Sequence, residues 1–210
     1  TEYATLKEYI SIKKVKKVLW LYYEEDLIDL KKELNNPTLK KYFENKNFSQ
    51  NLKFRQNEID QKLYIKLEEK ILEKKELSEE KFKNLKKFIK LYSIREKVKK
   101  NLFSSKLPLQ EFEKIIKLSN ELSKRNNSKF YFVYIPAYSR YLKNNNNDSY
   151  KNYQNVIKIV KNLGIPIIDI NNELLKKVND PFDLFAFRLN KHFNKLGYKL
   201  VSETIFQNVN

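Results

Sequence analysis

The run FYFVYI, from Phe130 to Ile135, consists of six consecutive apolar or aromatic residues. An uncharged run of this length is typical of a strand that is covered on both faces. Pro136 follows directly and is expected to end the strand, because proline has no N–H group for the ladder. The run therefore predicts a buried strand of a parallel sheet.

Two similar runs lie on either side of it. Val18–Tyr23 reads VLWLYY, and Ile165–Ile170 reads IPIIDI. Segments with apolar residues at helical spacing separate the three runs, with a helix start at Pro108 and a helix end at Gly164. A last helix is expected from Lys195 to Phe206, and its inward residues are expected to be Tyr198, Val201 and Ile205. Strands that alternate with helices predict a parallel α/β sheet covered on both faces, with the first strand buried like the second.

The middle of the chain has a different composition. From Leu30 to Ser105 it is rich in lysine and glutamate, with apolar residues at helical spacing and no glycine or proline after Pro37. We interpret residues 30–105 as a helical insertion within one domain that spans residues 1–210. Its charged stripe is most simply a solvated helix face.

Composition excludes several classes of function. The 210 residues include no cysteine and one histidine, which rules out disulfides, cysteine nucleophiles and histidine-rich metal sites. The net charge of +17 comes mostly from scattered lysines, with only five arginines, so nucleic acid is not an expected partner. The sequence has no transmembrane run and no signal peptide. It begins at Thr1 and has no methionine, which hints at a longer parent polypeptide.

Polar residues follow the predicted strands at their carboxyl ends, where open parallel sheets bind ligands. Glu24, Glu25 and Asp26 follow the first strand, and the segment Pro136–Arg140 follows the second. The stretch after the third strand leads to His192. These three segments nominate one edge of the sheet as the site.

The order of three motifs resembles the SGNH (GDSL-like) hydrolase family. His192-Phe193-Asn194-x-x-Gly197-Tyr198-x-Leu200-Val201, before the last helix, is similar to the histidine block of that family. The strand Ile165–Ile170 resembles the strand that precedes this block, and Val18–Tyr23 with its acidic sequel resembles the strand that leads to the asparagine block. The resemblance covers residues 1–28 and 129–210.

The resemblance implies a flavodoxin-like, three-layer α/β fold and the hydrolysis of acyl esters by a serine–histidine pair. His192 would be the general base, with Asp183 or Asp180 as the candidate acid partner. The substrate would be a small-molecule ester, or an O-acyl group on a carbohydrate or lipid. Neither a metal ion nor another cofactor is expected.

The sequence also departs from the family. The nucleophilic serine and the glycine block would lie before Thr1, so the sheet is expected to be incomplete at its N-terminal side and this chain alone inactive. Glu24, Glu25 and Asp26 stand where the family has its asparagine, and Leu189 stands where it has its acid. The competing interpretation is a non-catalytic family member that acts as a binding or structural protein.

Two further readings come from the residues alone. Ser139, after the second strand, could be a nucleophile, although it lacks the glycine-flanked elbow of α/β-hydrolases. The three acidic residues after the first strand could bind a hard cation together with Asp29, but a solvated acidic helix start is the favoured explanation.

Overall fold

The computed structural model describes residues 1–12, 14–72, 107–142, 152–189 and 192–210. The chain divides into two compact units. Thr1–Phe48 and Leu107–Asn210 form the first, and Ser49–Lys106 forms the second.

A parallel sheet organises the first unit. Among the described residues its strands are β1 (Lys17–Tyr23), β2 (Lys129–Ile135) and β3 (Ile167–Asp169), in the spatial order β1-β2-β3. Both strand pairs are parallel, with Leu19 opposite Tyr131 and Val133 opposite Ile168. The α/β class and the three predicted strands are confirmed, although β3 is shorter than its apolar run.

Helices precede, separate and follow the strands. Before β2 in the first unit lie α1 (Glu2–Tyr9), α2 (Asp26–Glu33), α3 (Pro37–Glu44) and α5 (Leu109–Arg125). The second unit contains a 3₁₀ turn at Leu52–Phe54 and the helix α4, described over 56–72. After β2 come α6 (Tyr153–Asn162) and α7 (Lys195–Val209).

The predicted helix boundaries at Pro108 and Gly164 are confirmed. Pro108 is the N-cap of α5. Gly164 follows α6 with a φ of +64°, a left-handed conformation that glycine adopts without a Cβ penalty. Its N–H donates to the Lys161 carbonyl at 2.9 Å, which satisfies a carbonyl at the helix end.

The two faces of the sheet have separate cores. On one face, the β2 residues Phe130, Phe132 and Tyr134 pack with apolar residues of α2, α5 and α6. On the other face, Tyr131 and Val133 pack with Ile168, with the segment after β3 and with Val201 of α7. The central strand β2 is therefore covered on both faces, as its uninterrupted apolar run predicts.

Two burial predictions are wrong. Leu19 and Leu21 of β1 are 40% and 52% exposed, because β1 is the outer strand of the described sheet and the second core lies over β2 and β3. Tyr198 of α7 was expected to face inward but is exposed, whereas Val201 is buried. Tyr198 lies in the first turn of α7, where its ring and the Phe193 ring meet in a T-shaped arrangement.

The segment expected to be an insertion, residues 30–105, is only partly described. Its first part forms the end of α2 and all of α3, which belong to the first unit. Residues 49–72 belong to the second unit and are mainly helical. Residues 73–106 lie outside the described part of the chain.

Candidate functional site

Glu24 joins the carboxyl ends of β1 and β2. It is the residue after β1, and its side chain is 2% exposed. Its carboxylate accepts hydrogen bonds from the Tyr134 hydroxyl at 2.7 Å and from the Ala137 N–H at 2.9 Å. It also pairs with Arg140, whose Nε lies 3.2 Å away and whose side chain is 8% exposed.

This buried ion pair has its hydrogen bonds satisfied from several sides. Burial and the charge of Glu24 raise the pKa of the Tyr134 hydroxyl, so the hydroxyl stays protonated and donates to the carboxylate. Arg140 in turn donates to the Tyr134 oxygen at 2.9 Å. Since Glu24 is an acceptor saturated by these donors, it anchors the turn after β2 and offers no donor to an oxyanion.

Asp169 continues the polar network at the end of β3. Its carboxylate accepts hydrogen bonds from the Tyr153 hydroxyl, from the Asn172 side chain at 2.7 Å and from the Asn171 N–H at 3.0 Å. The Arg140 guanidinium lies over the Tyr153 ring, 4.9 Å from its centroid. The carboxyl ends of the three strands are thus tied together through Arg140.

His192 lies on a closed loop beside this network. Its carbonyl accepts the Ala186 N–H at 2.9 Å, and Phe185 and Phe193 form an antiparallel bridge with their rings stacked 4.9 Å apart. The Tyr138 hydroxyl, from the turn after β2, donates to the Arg188 carbonyl of the loop at 2.7 Å. The second and third segments nominated by the sequence therefore meet, and His192 is exposed at the base of the loop.

Arg188 clamps this loop. Its guanidinium pairs with the carboxylates of Asp180 and Asp183. The hydrogen bond with Arg188 lowers the pKa of Asp180 below its ordinary value. Asp183, the candidate acid partner of His192, thus directs its carboxylate to Arg188.

Asn194 and Gly197 of the histidine motif fix the loop to α7. Asn194 is the N-cap: its side-chain oxygen accepts the Gly197 N–H at 2.9 Å, and its amide group donates to the Asp183 carbonyl at 2.7 Å. A Cβ on Gly197 would lie 2.3 Å from the Leu184 carbonyl oxygen. Gly197 is therefore a close-approach glycine in the first turn of α7.

We expect Gly197→Ala to destabilise the protein by about 1–3 kcal/mol, because α7 must move away from the Leu184 carbonyl. The Hε1 resonance of His192, which is the single histidine, should shift with the loop. Chemical denaturation and proton NMR measure the two effects. Gly164→Ala is the matched control: its Cβ has open space, so it should cost about 1–2 kcal/mol through its positive φ and leave that resonance in place. An unmoved His192 resonance in Gly197→Ala would contradict the assigned role.

Glu25 and Asp26 have local roles at the start of α2. Glu25 is the N-cap residue, and Asp26 accepts the Tyr23 N–H at 2.8 Å. Burial raises the pKa of Asp26 to about 7, helped by the nearby carboxylates of Glu2, Asp29 and Glu33 and opposed by the Tyr23 N–H. Asp26 is therefore partly protonated near neutral pH.

Asp26 should make stability depend on pH. Its pKa is raised on folding from 3.8, so the stabilising protonated form is fully present below about pH 4 and its contribution is lost as pH rises to about 7. We expect Asp26→Asn to remove this loss, on the order of 4 kcal/mol, and to be more stable than the wild type above pH 7. Urea denaturation from pH 4 to 8 measures the difference. The control Asp60→Asn, at an exposed position of the second unit, should keep the wild-type slope.

The structure bears on the two alternative roles considered for these residues, a metal site at the acidic residues and a nucleophile at Ser139. Glu24 is committed to Arg140, and among the described residues no group of three or more Asp, Glu or His side chains is positioned to hold a metal ion. Ser139 is half-buried in the 3₁₀ turn Tyr138–Tyr141. No helix in the described ranges is both long and apolar enough to cross a membrane.

Sequence reasoning did not find Tyr134, Tyr153 and Asp169 as members of the polar network. Their runs read as apolar strands or helix faces, and the partner of Tyr134 lies 110 residues away. The one local signal was Asp169, because it is a charged residue within the otherwise apolar run Ile165–Ile170.

Comparisons of the chain with protein-family models, with curated proteins and with solved structures found no match.

Proposed function

We propose that this chain is the histidine-bearing part of an SGNH-type ester hydrolase with a flavodoxin-like, three-layer sheet. His192 is the general base, and the nucleophilic serine with its glycine block precedes Thr1 in the same polypeptide. The observation that carries the proposal is the placement of the single histidine, which is exposed on a closed loop that contacts the turn after β2 and leads directly into the last helix.

The open edge of β1 supports an additional strand. The Lys16 carbonyl accepts the Lys129 N–H, and the Glu24 N–H donates to the Ile135 carbonyl. The backbone N–H and C=O groups of the even-numbered β1 residues therefore point towards β2. The backbone groups of Leu19 and Leu21 therefore point outward, beside a groove of about 510 Å³ between β1 and α1. A parallel strand in this groove would bring a serine that follows it to the carboxyl edge of the sheet.

The proposed reaction is acyl transfer to water. The imidazole of His192 takes the proton of the serine hydroxyl as the oxygen attacks the ester carbonyl, and it returns the proton to the leaving alkoxide. Water then hydrolyses the acyl-enzyme by the same proton transfers. Asp183 is the candidate acid that orients the imidazole, which requires it to exchange its present partner Arg188. The substrate is a small-molecule, carbohydrate or lipid ester.

The test is covalent labelling of the full native polypeptide with a fluorophosphonate, together with hydrolysis of p-nitrophenyl acetate. We expect one labelled serine in a segment before Thr1, while residues 1–210 expressed alone stay unlabelled and inactive. Intact mass and N-terminal sequence of the native product complete the experiment. A folded native product that begins at Thr1 and takes no label would overturn the proposal.

A second candidate function is that of a non-catalytic family member. Glu24 favours it, since a saturated carboxylate stands where the family has an oxyanion-hole asparagine. Leu189 favours it as well, because it occupies the usual position of the acid. Under this proposal, His192→Ala changes only local stability.

A further inference from the structure

The loop that carries His192 contains two consecutive strained residues. Phe187 and Arg188 have φ values of +54° and +56°, in the left-handed region that residues with a Cβ seldom adopt. Each costs on the order of 1–3 kcal/mol and persists only where the surroundings impose it. Here the Arg188 guanidinium pairs with the carboxylates of Asp180 and Asp183. The Arg188 carbonyl accepts a hydrogen bond from the Tyr138 hydroxyl.

The strained conformation of Phe187 and Arg188 does not bury apolar side chains. It presents Phe187 and Leu189 to solvent, 89% and 82% exposed. Leu196 and Tyr198, in the first turn of the helix that follows His192, are exposed as well. Four large apolar side chains are thus exposed in the segments before and after His192 along the chain, and the contacts of Arg188 hold the strained turn that presents the first two.

We propose that this projecting loop, Phe187–Leu189, inserts into the interface of an anionic lipid surface. Side chains that project almost fully suit insertion between lipid head groups, whereas a ligand-binding cleft would cover part of them in advance. Lys195 and Lys199 lie exposed on the adjacent turns of α7, and the chain carries a net charge of +17. This charge attracts anionic head groups, while the apolar side chains fix which face is turned to the lipid.

The consequence for substrate rests on the proposed function. With the loop in the interface, His192 lies at its base, at the depth where acyl lipids present their ester bonds. The substrate would then be a lipid acyl ester. Lipid binding itself requires no catalytic serine, so the two proposals fail separately.

The test is co-sedimentation of the full native polypeptide with vesicles of equal parts phosphatidylglycerol and phosphatidylcholine. We expect binding that weakens with salt, and a partition coefficient about tenfold lower or more for the double variant Phe187→Ser/Leu189→Ser. Both side chains are exposed, so the variant should fold. Phe54→Ser, at another exposed phenylalanine, is the matched control and should bind like the wild type.

Insertion depth provides the second readout. In a Phe187→Trp variant, lipids brominated on their acyl chains should quench the introduced tryptophan and leave the native Trp20 fluorescence of the wild type unchanged. Absence of vesicle binding by the native polypeptide would overturn the proposal. Equal binding by the wild type and the double variant, without quenching, would also overturn it, because the attraction would then be due to charge alone.

Discussion

Replacement of His192 with alanine in the full native polypeptide is expected to lower kcat for p-nitrophenyl acetate by about 10⁴-fold or more. A serine hydroxyl is a weak nucleophile at neutral pH, and His192 is the group proposed to take its proton. Stopped-flow or steady-state absorbance at the nitrophenolate band measures the loss. KM should change little, because the imidazole acts on the proton in the transition state.

Two controls separate this effect from a structural one. His192 is exposed, so His192→Ala should still fold, and its denaturation midpoint shows how much stability the substitution costs. Ser139→Ala should retain activity within about twofold if the nucleophile lies upstream. Full activity in His192→Ala would remove the general-base role, and a dead Ser139→Ala variant with normal stability would move the nucleophile to the turn after β2.

Arg140→Met is expected to destabilise the first unit by about 3–5 kcal/mol. The substitution removes the countercharge of Glu24, whose carboxylate would be left buried among Tyr134 and Ala137. Guanidinium denaturation followed by circular dichroism measures the free energy of unfolding. The effect should exceed that of any exposed ion pair in the described residues.

Two control variants test whether the loss of stability comes from the burial of the Glu24–Arg140 ion pair. Arg55 pairs with Glu58 on the surface, so Arg55→Ala should cost less than about 1 kcal/mol. A Glu24→Leu/Arg140→Met double variant should recover part of the loss, because it removes the unpaired buried charge together with its partner. An Arg140→Met variant as stable as Arg55→Ala would mean that water reaches Glu24 and screens it.

Local sequence patterns were sufficient for the elements of the sheet. The uncharged run Phe130–Ile135 is β2, Pro108 begins α5 and Gly164 follows α6 in a left-handed conformation. Each of these depends on backbone chemistry or on burial of a whole run, and both can be read within a few residues. The gathering of polar residues at the carboxyl edge also followed, since parallel strands point the same way.

The same patterns misled where burial depends on neighbours. VLWLYY in β1 resembles FYFVYI in β2, yet Leu19 and Leu21 are exposed because β1 is the outer strand of the described sheet. The close approach of Gly197 to the Leu184 carbonyl appears only when α7 is packed. The flavodoxin-like extension of the sheet stays a prediction.

The sequence by itself therefore determined the class of the fold, the order of its strands and helices, and the edge of the sheet where polar chemistry collects. The tertiary structure alone decided the partners: Glu24 with Arg140 across 116 residues, Asp183 with Arg188, and the strained projection of Phe187 beside His192. The physical reason is that strand and helix preferences act between near neighbours, whereas the desolvation of a charge or the strain of a loop is set by atoms that folding brings from distant parts of the chain.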